Sequence, residues 1–314
     1  MDFRAWVRSL IALATLLACS PTQAQLFRAY LAVDGSDANP CTLASPCRLL
    51  PAALAAVASG GEVWMLDSAN YNAAPVTIGK SVTIVAIPGA IGSVLSRDYE
   101  SAITISAPDL KVTLRNLVIG PLPGGTSWQG VDLLAASTLI IENCVIANLA
   151  YSGVRATLGK VEIIDTIIRN NSGYGIQLQD GTSAQITRTR VLKNLAGGIF
   201  AWTYNASNVR ATVSDSVVTG SASGSDAGIH AKSMPVGGDV RVYLIRTSVQ
   251  ESRYALRSET TVGGSALISM SYSLIANNDY GWYVAGAGAM IRTLGNNHIA
   301  DGSFSGSLTS TALQ

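Results

Sequence analysis

Charge is scarce in this chain. Only 13% of its 314 residues are Asp, Glu, Lys or Arg, against 48% hydrophobic, and mean hydropathy is positive. A chain this poor in charge is not an intrinsically disordered one, and it has enough apolar material for a large core. The few charges nearly cancel, at a formal net of +1. Without residues 1–24 the balance is zero, so no basic field draws the protein to nucleic acid.

Histidine is scarcer still. His230 and His298 are far apart in sequence, which argues against a shared zinc site, and no metal is expected. Of the four cysteines, Cys41 and Cys47 lie six apart within a loop. In an exported protein that spacing reads as a disulfide, and with no histidine near it a metal site is rejected. Cys144 sits inside an apolar run, again with no histidine nearby, and reads as a buried free thiol rather than a nucleophile. Long apolar runs are also missing. The longest, residues 10–18, is too short to cross a bilayer, and no other segment could span one. It follows Arg4 and Arg8 and precedes Thr22-Gln23-Ala24, the layout of a bacterial secretory signal cut after Ala24. Secretion or a periplasmic location is therefore expected. The alternative is a lipoprotein, with Leu16-Leu17-Ala18-Cys19 as the signal and a lipid anchor on Cys19.

What the chain does have is repetition. Residues 139–183 say nearly the same thing twice: an apolar run, then Asn143 or Asp165, an aliphatic pair, Asn148 or Asn170, then Gly153-Val154 or Gly175-Ile176. The polar turn slot recurs at Asn116, Thr189, Asp215, Thr247, Tyr272 and Asn296, with an insertion at residues 233–239. Three short strands per repeat make one coil of a solenoid, stacked on the next at ~4.8 Å. Period-two alternation sends Val154, Ala156, Ile176, Leu178, Ile199 and Ala201 inward. Asn and Asp suit the turn slot because they tolerate the left-handed conformation. Thr189 and Thr247 do not, so irregular coils are expected there. Upstream, residues 46–59 predict a helix with Pro51 in its first turn and Gly60-Gly61 at its end, placed to cover the open end of the stack. The expected organisation is a signal peptide at 1–24, an N-terminal cap at 25–61, a solenoid at 62–301 and a C-terminal tail at 302–314.

The repeated N-x-[VI]-[IL]-x-N followed by G-[IV], together with the opening AYLAVDGSDANPCTLASPCRLLPAALAA, resembles right-handed parallel β-helix proteins of the pectin/pectate-lyase-like group. The resemblance implies an all-β right-handed parallel β-helix of about eight to ten coils. It says little about activity, since the fold hosts lyases, hydrolases, esterases, epimerases and proteins without chemistry. In that group the strand after the longer turn lines the saccharide cleft. Here that is the strand opened by Gly-[IV], and its outward residues fall into two lanes. The first is Asp132, Arg155, Gln177, Phe200, His230, Arg257 and Tyr283. The second is Leu134, Thr157, Gln179, Trp202, Lys232, Glu259 and Ala285.

Aromatic planes stack on sugars and cations pair with uronate carboxylates. Arg155, Phe200, Trp202, His230, Lys232, Arg257 and Tyr283 are thus the candidate substrate-binding residues, and polysaccharide the expected partner. A β-eliminating lyase is the alternative, with Lys232 as base and Arg257 or His230 as its partner; Ca²⁺ could then assist, whereas simple binding needs no cofactor. A purely structural or adhesive solenoid is the third reading. Hydrolysis needs paired carboxylates, and these lanes hold only Asp132 and Glu259, several coils apart, while Asp226 lacks an acidic partner. The segment Tyr174–Asp180 is similar to a motif of mannuronan epimerases. Gln177 and Gln179 stand at that motif's catalytic Asp and His positions, so the acid and base are missing. Asp34, Asp37 and Asn39 read as an Asx-rich turn rather than a Ca²⁺ loop.

Overall fold

A computed structural model describes residues 25–97, 99–221, 227–234 and 236–311. The signal segment, Cys19 and Asp226 lie outside the described residues.

The chain forms a right-handed parallel β-helix of about nine turns, with very little helix. Each coil visits three sheets in turn. The first sheet has twelve strands and the other two have ten each. Sequential strands of one sheet are separated by a whole coil, and every neighbouring pair is parallel, as in Thr138–Glu142 beside Gly159–Ile164. The side chains expected to point inward do so: Val154, Ala156, Ile176, Leu178, Ile199 and Ala201 are fully buried.

The sharp turn from the first to the second sheet is made by one left-handed residue. Asn116, Asn143, Asp165, Asp215 and Tyr272 hold this slot with φ of 58°, 53°, 50°, 52° and 50°. The expectation for the threonine coils is corrected here. The slot is held by Arg188 (φ 48°) and Arg246 (φ 46°), and Gly295 (φ 80°) rather than Asn296 takes it in the last repeat. Thr189 and Thr247 come one residue later and are buried. They belong to an inner ladder in which a side chain accepts the backbone N–H of the coil before it. Cys144 N donates to Thr166 Oγ1 (3.3 Å), Thr189 N to Ser216 Oγ (3.1 Å) and Thr247 N to Ser273 Oγ (3.2 Å). No coil is irregular on their account. Outside, the corner alternates in sign: Arg188 grips Asp165 through two bonds of 2.7 Å, and Arg246 grips Asp215 at 2.5 and 2.8 Å.

Cys144 occupies the hydroxyl ladder itself. Its sulfur accepts from Leu117 N at 3.4 Å, and burial pushes the thiol up to about 12. It is a structural thiol, as its surroundings in the sequence suggested.

Each Gly-hydrophobic pair opens a third-sheet strand because the backbone runs hard against the coil beyond. A Cβ on Gly175 would lie 2.4 Å from Val191 Cγ1 and 2.9 Å from Gly198 O. Packing, not backbone torsion, demands glycine there.

At the N-terminal end a helix, α1 (Leu50–Ala56), buries Leu50, Ala53 and Leu54 against the first coil. Pro51 is in its first turn as expected. It stops before the glycines: Val57 is already extended, and Gly60 and Gly61 lie within the strand Val57–Met65, beside a register shift against Leu26–Leu31. Asp37 Oδ1 accepts the Arg48 and Leu49 amides at 2.9 and 2.7 Å, tying the disulfide loop of Cys41–Cys47 to the entry of α1. Strand pairing starts at Leu26–Leu31 and continues through Ser303–Ser305 and Leu308–Ser310.

Candidate functional site

The register of the third sheet builds the site. Asp132, Arg155, Gln177, Phe200, His230, Arg257 and Tyr283 are consecutive partners across the strands. Trp202, Lys232, Glu259 and Ala285 form the second lane. The first lane runs its whole length as the sequence period implied, and the second does so from Trp202 onward, including the coil where Ala255-Leu256 replaces the glycine pair; Leu134, Thr157 and Gln179 lie just past the ends of their strands.

The lanes do different things along their length. At the N-terminal end Arg155 is committed to Asp132, with Nε and Nη2 donating to the two carboxylate oxygens at 2.8 and 2.6 Å. Next come the aromatics. Phe200 stacks on Tyr174 at 4.7 Å and on His230 at 4.8 Å, so both of its faces are already covered. Successive rings one strand apart sit at about the stacking distance, and in-register aromatics therefore bind each other first. Trp202 lies parallel to Phe200, 5.6 Å away, and leans on Tyr204 at 5.2 Å. Of this group Tyr204 is the exposed member, at 52%.

Tyr204 is held in place by Asp180. That carboxylate accepts from Thr203 Oγ1 (2.6 Å), Tyr204 N (3.0 Å) and Asn205 N (3.2 Å). Asp180 closes the Tyr174–Asp180 segment whose middle lacks an acid and a base, and its role is to fix the next coil's turn.

The centre of the site is Glu259. Its carboxylate receives His230 Nε2 at 3.1 Å, Arg257 Nη2 at 2.6 Å and Lys232 Nζ at 3.6 Å. Burial pushes the carboxyl up, but the hydrogen bonds from His230 and Arg257 outweigh it and hold the group down at about 2. Glu259 is an anion at any ordinary pH. Arg257 is further fixed between rings, with its guanidinium carbon 5.2 Å from the centre of Tyr283 and 5.9 Å from that of Tyr254. Tyr283 belongs to a second aromatic group with Tyr254 and Phe304. His230, placed outward by register, is 3% exposed, and Lys232 is the most open of the three groups around Glu259, its side chain 28% exposed.

His230, Lys232 and Arg257, singled out in the sequence, do converge, then, but upon a carboxylate of the protein's own. Sequence reasoning placed Glu259 in a lane and asked only whether a second acid lay beside it. It was a counter-charge, and the signal was Arg257 two residues before it together with His230 and Lys232 on the preceding strand.

A further concavity of about 780 Å³ lies on the first sheet, lined by Trp64, Arg115, Glu142 and Asp165 among others. Its acids are taken by arginines: Glu62 by Arg28, Glu142 by Arg115 and Asp165 by Arg188. Among the described residues no cluster of metal-binding side chains occurs. No described helix is long and apolar enough to cross a membrane.

Comparison with known proteins agrees with this architecture. Residues 105–233 match the family model described as right handed beta helix region. Pectate lyase Pel9A superposes with a TM-score of 0.68 at 12% identity, over 92% of this chain and 79% of that one. Alginate lyase from Paenibacillus sp. str. FPU-7 gives 0.55 at 12%, over 88% and 97%. Tailspike protein 2 of Escherichia coli O157:H7 bacteriophage CAB120 gives 0.53 at 12%, over 82% of this chain and 39% of the tailspike. No curated protein sequence matches significantly. In fold, the chain is similar to right-handed parallel β-helix proteins of the pectin/pectate-lyase-like group. At such identities the likeness is one of fold.

Proposed function

We propose that this is an exported β-helix protein that binds an extracellular or cell-wall polysaccharide on the outer face of its third sheet. The observation that carries the reading is the cluster of His230, Lys232, Arg257 and Glu259 beside Trp202 and Tyr204. Nothing in coil stacking asks for four interacting polar side chains and an aromatic wall on an outward face. Sugars are recognised by that combination of flat apolar surface and fixed donors and acceptors. That pectate and alginate lyases share the fold agrees with such a ligand. The disulfide Cys41–Cys47 agrees with export.

Binding is preferred to elimination for an electrostatic reason. A uronate-cleaving site presents cations to the substrate's carboxylate, and here Glu259 already fills that place between Arg257 and Lys232. The lyase reading keeps one point in its favour, the meeting of Lys232 and Arg257 themselves. Incubation with pectate and with alginate, with and without Ca²⁺, separates the two readings through the ultraviolet absorbance of an unsaturated product. Its appearance would overturn binding alone. Retention on an immobilised glycan panel is expected for the wild type and is expected to fail for Trp202→Ala. Equal retention of that variant would remove the site from this face.

A further inference from the structure

We infer that Trp128 and Tyr151 form a second sugar contact, so that a bound polysaccharide runs parallel to the solenoid axis; the inference rests on the polysaccharide reading above. The two residues hold equivalent places in consecutive coils, just before the third-sheet strands, and Tyr151 N donates to Trp128 O at 3.1 Å. Their rings meet edge to face, 6.0 Å apart with planes at 75°. They are 42% and 55% exposed, and among the described residues neither ring touches any other. This is the reverse of Phe200, whose faces are spent on Tyr174 and His230.

The next coil keeps the pair open. The place after Tyr151 belongs to Gly173, whose N–H donates to Tyr151 O at 2.8 Å and which brings no side chain to stack on the ring. A Cβ there would lie 2.6 Å from the Tyr151 carbonyl carbon, so the site is closed to larger residues. Two perpendicular aromatic planes make a corner that fits one flat face and one edge of a pyranose ring. Polar groups flank it on the sheet. Arg155 is 30% exposed with its fork to Asp132 made through Nε and Nη2, which leaves Nη1 as a donor. Gln177 accepts from Ser152 through Oε1, which leaves the amide NH₂.

From this corner to the Glu259 cluster the first lane runs uninterrupted. The Trp128 and His230 coils are four strand spacings apart, about 19 Å at ~4.8 Å each. Several sugar rings fit in that span, and both ends offer the same chemistry. A hydroxyl-rich chain lying along the lanes therefore engages both ends at once, and a short one engages only one.

The test uses the whole protein and a size-graded series of oligogalacturonides and cello-oligosaccharides, measured by calorimetry. The wild type should bind long oligomers more tightly than disaccharides. In Trp128→Ala and Tyr151→Ala the affinity for long oligomers should fall about tenfold, with disaccharide binding at the Lys232 end unchanged and thermal unfolding as in the wild type. Length-independent binding by the wild type, or variants that bind long oligomers normally, would overturn the second contact and leave the first site standing. Loss of a dimer on Trp128→Ala, by sedimentation, would assign the pair to a protein contact instead. Failure of the wild type to bind any glycan would remove both readings together.

Discussion

Lys232 and Glu259 are register partners on adjacent strands, and the ammonium stands 3.6 Å from the carboxylate that also receives His230 and Arg257. One anion thus holds groups from two coils, and the site's shape depends on its charge.

The pH dependence follows from that. Glu259 titrates at about 2 in the fold against an ordinary 4.5. Its folded value is depressed, so its stabilisation is complete above about pH 4.5 and is lost as the pH falls toward 2. Allowing for the water that reaches the Lys232 side, it is worth about 2 kcal/mol. Thermal midpoints should fall more steeply between pH 4.5 and 2 in the wild type than in Glu259→Gln. At neutral pH the variant should be less stable by a similar amount, since it removes the anion to which Arg257 Nη2 donates. Parallel pH profiles for the two proteins would show that Glu259 carries no such role.

Asp180 should matter to binding without being part of the binding surface. Its carboxylate holds Thr203, Tyr204 and Asn205 in one turn. Asp180→Asn should cost about 1.5–3 kcal/mol, as for a hydrogen bond to a charged group. Amide exchange should quicken at Tyr204 and Asn205 and stay unchanged at Ile176 and Leu178, with glycan affinity falling in step.

Cys144 should be inert in the native protein. A thiol raised to about 12 by burial has almost no thiolate to react, so a thiol reagent should label it only after denaturant unfolds the chain. Cys144→Ser should cost less than about 1.5 kcal/mol, because Ser216 and Ser273 do the same job at the equivalent place. Rapid native labelling would contradict the buried assignment.

The corner slot should discriminate by shape. Asn143 has φ of 53°. Asn143→Gly should be close to neutral, whereas Asn143→Val should cost about 1–2 kcal/mol, since a β-branched residue is strained there. Equal urea midpoints for the two variants would show that the slot does not select on backbone grounds.

Much of this was legible in the sequence because a parallel solenoid makes neighbours out of equivalent positions. The period-two pattern around Ile176 and Ile199 fixed the inward set, and the Gly-hydrophobic pairs fixed the lanes through to Tyr283. The turn slot slipped by one at Arg188 and Arg246. A long cation hides a left-handed residue, and the threonine beside it mimics the small polar side chain expected there. The fate of the aromatics was harder to read. A lane shows that Phe200 and His230 come close, but that Tyr174, three residues before the lane, also turns its face to Phe200 depends on side-chain torsions. The same holds for Glu259, whose importance lies in partners from its own strand and from the one before it.

The lanes also make the molecule a ruler. Because register passes unchanged from strand to strand, removing one whole coil, residues 153–174, would set Ile176–Leu178 beside Val131–Leu133 with the outward residues that remain still in line. The Glu259 cluster would be intact, and its distance from Trp128 would shorten by one strand spacing, ~4.8 Å. Reach along a polymer is in this sense a countable property of the chain, set by the number of coils between two contacts, and it can change by whole units without disturbing either.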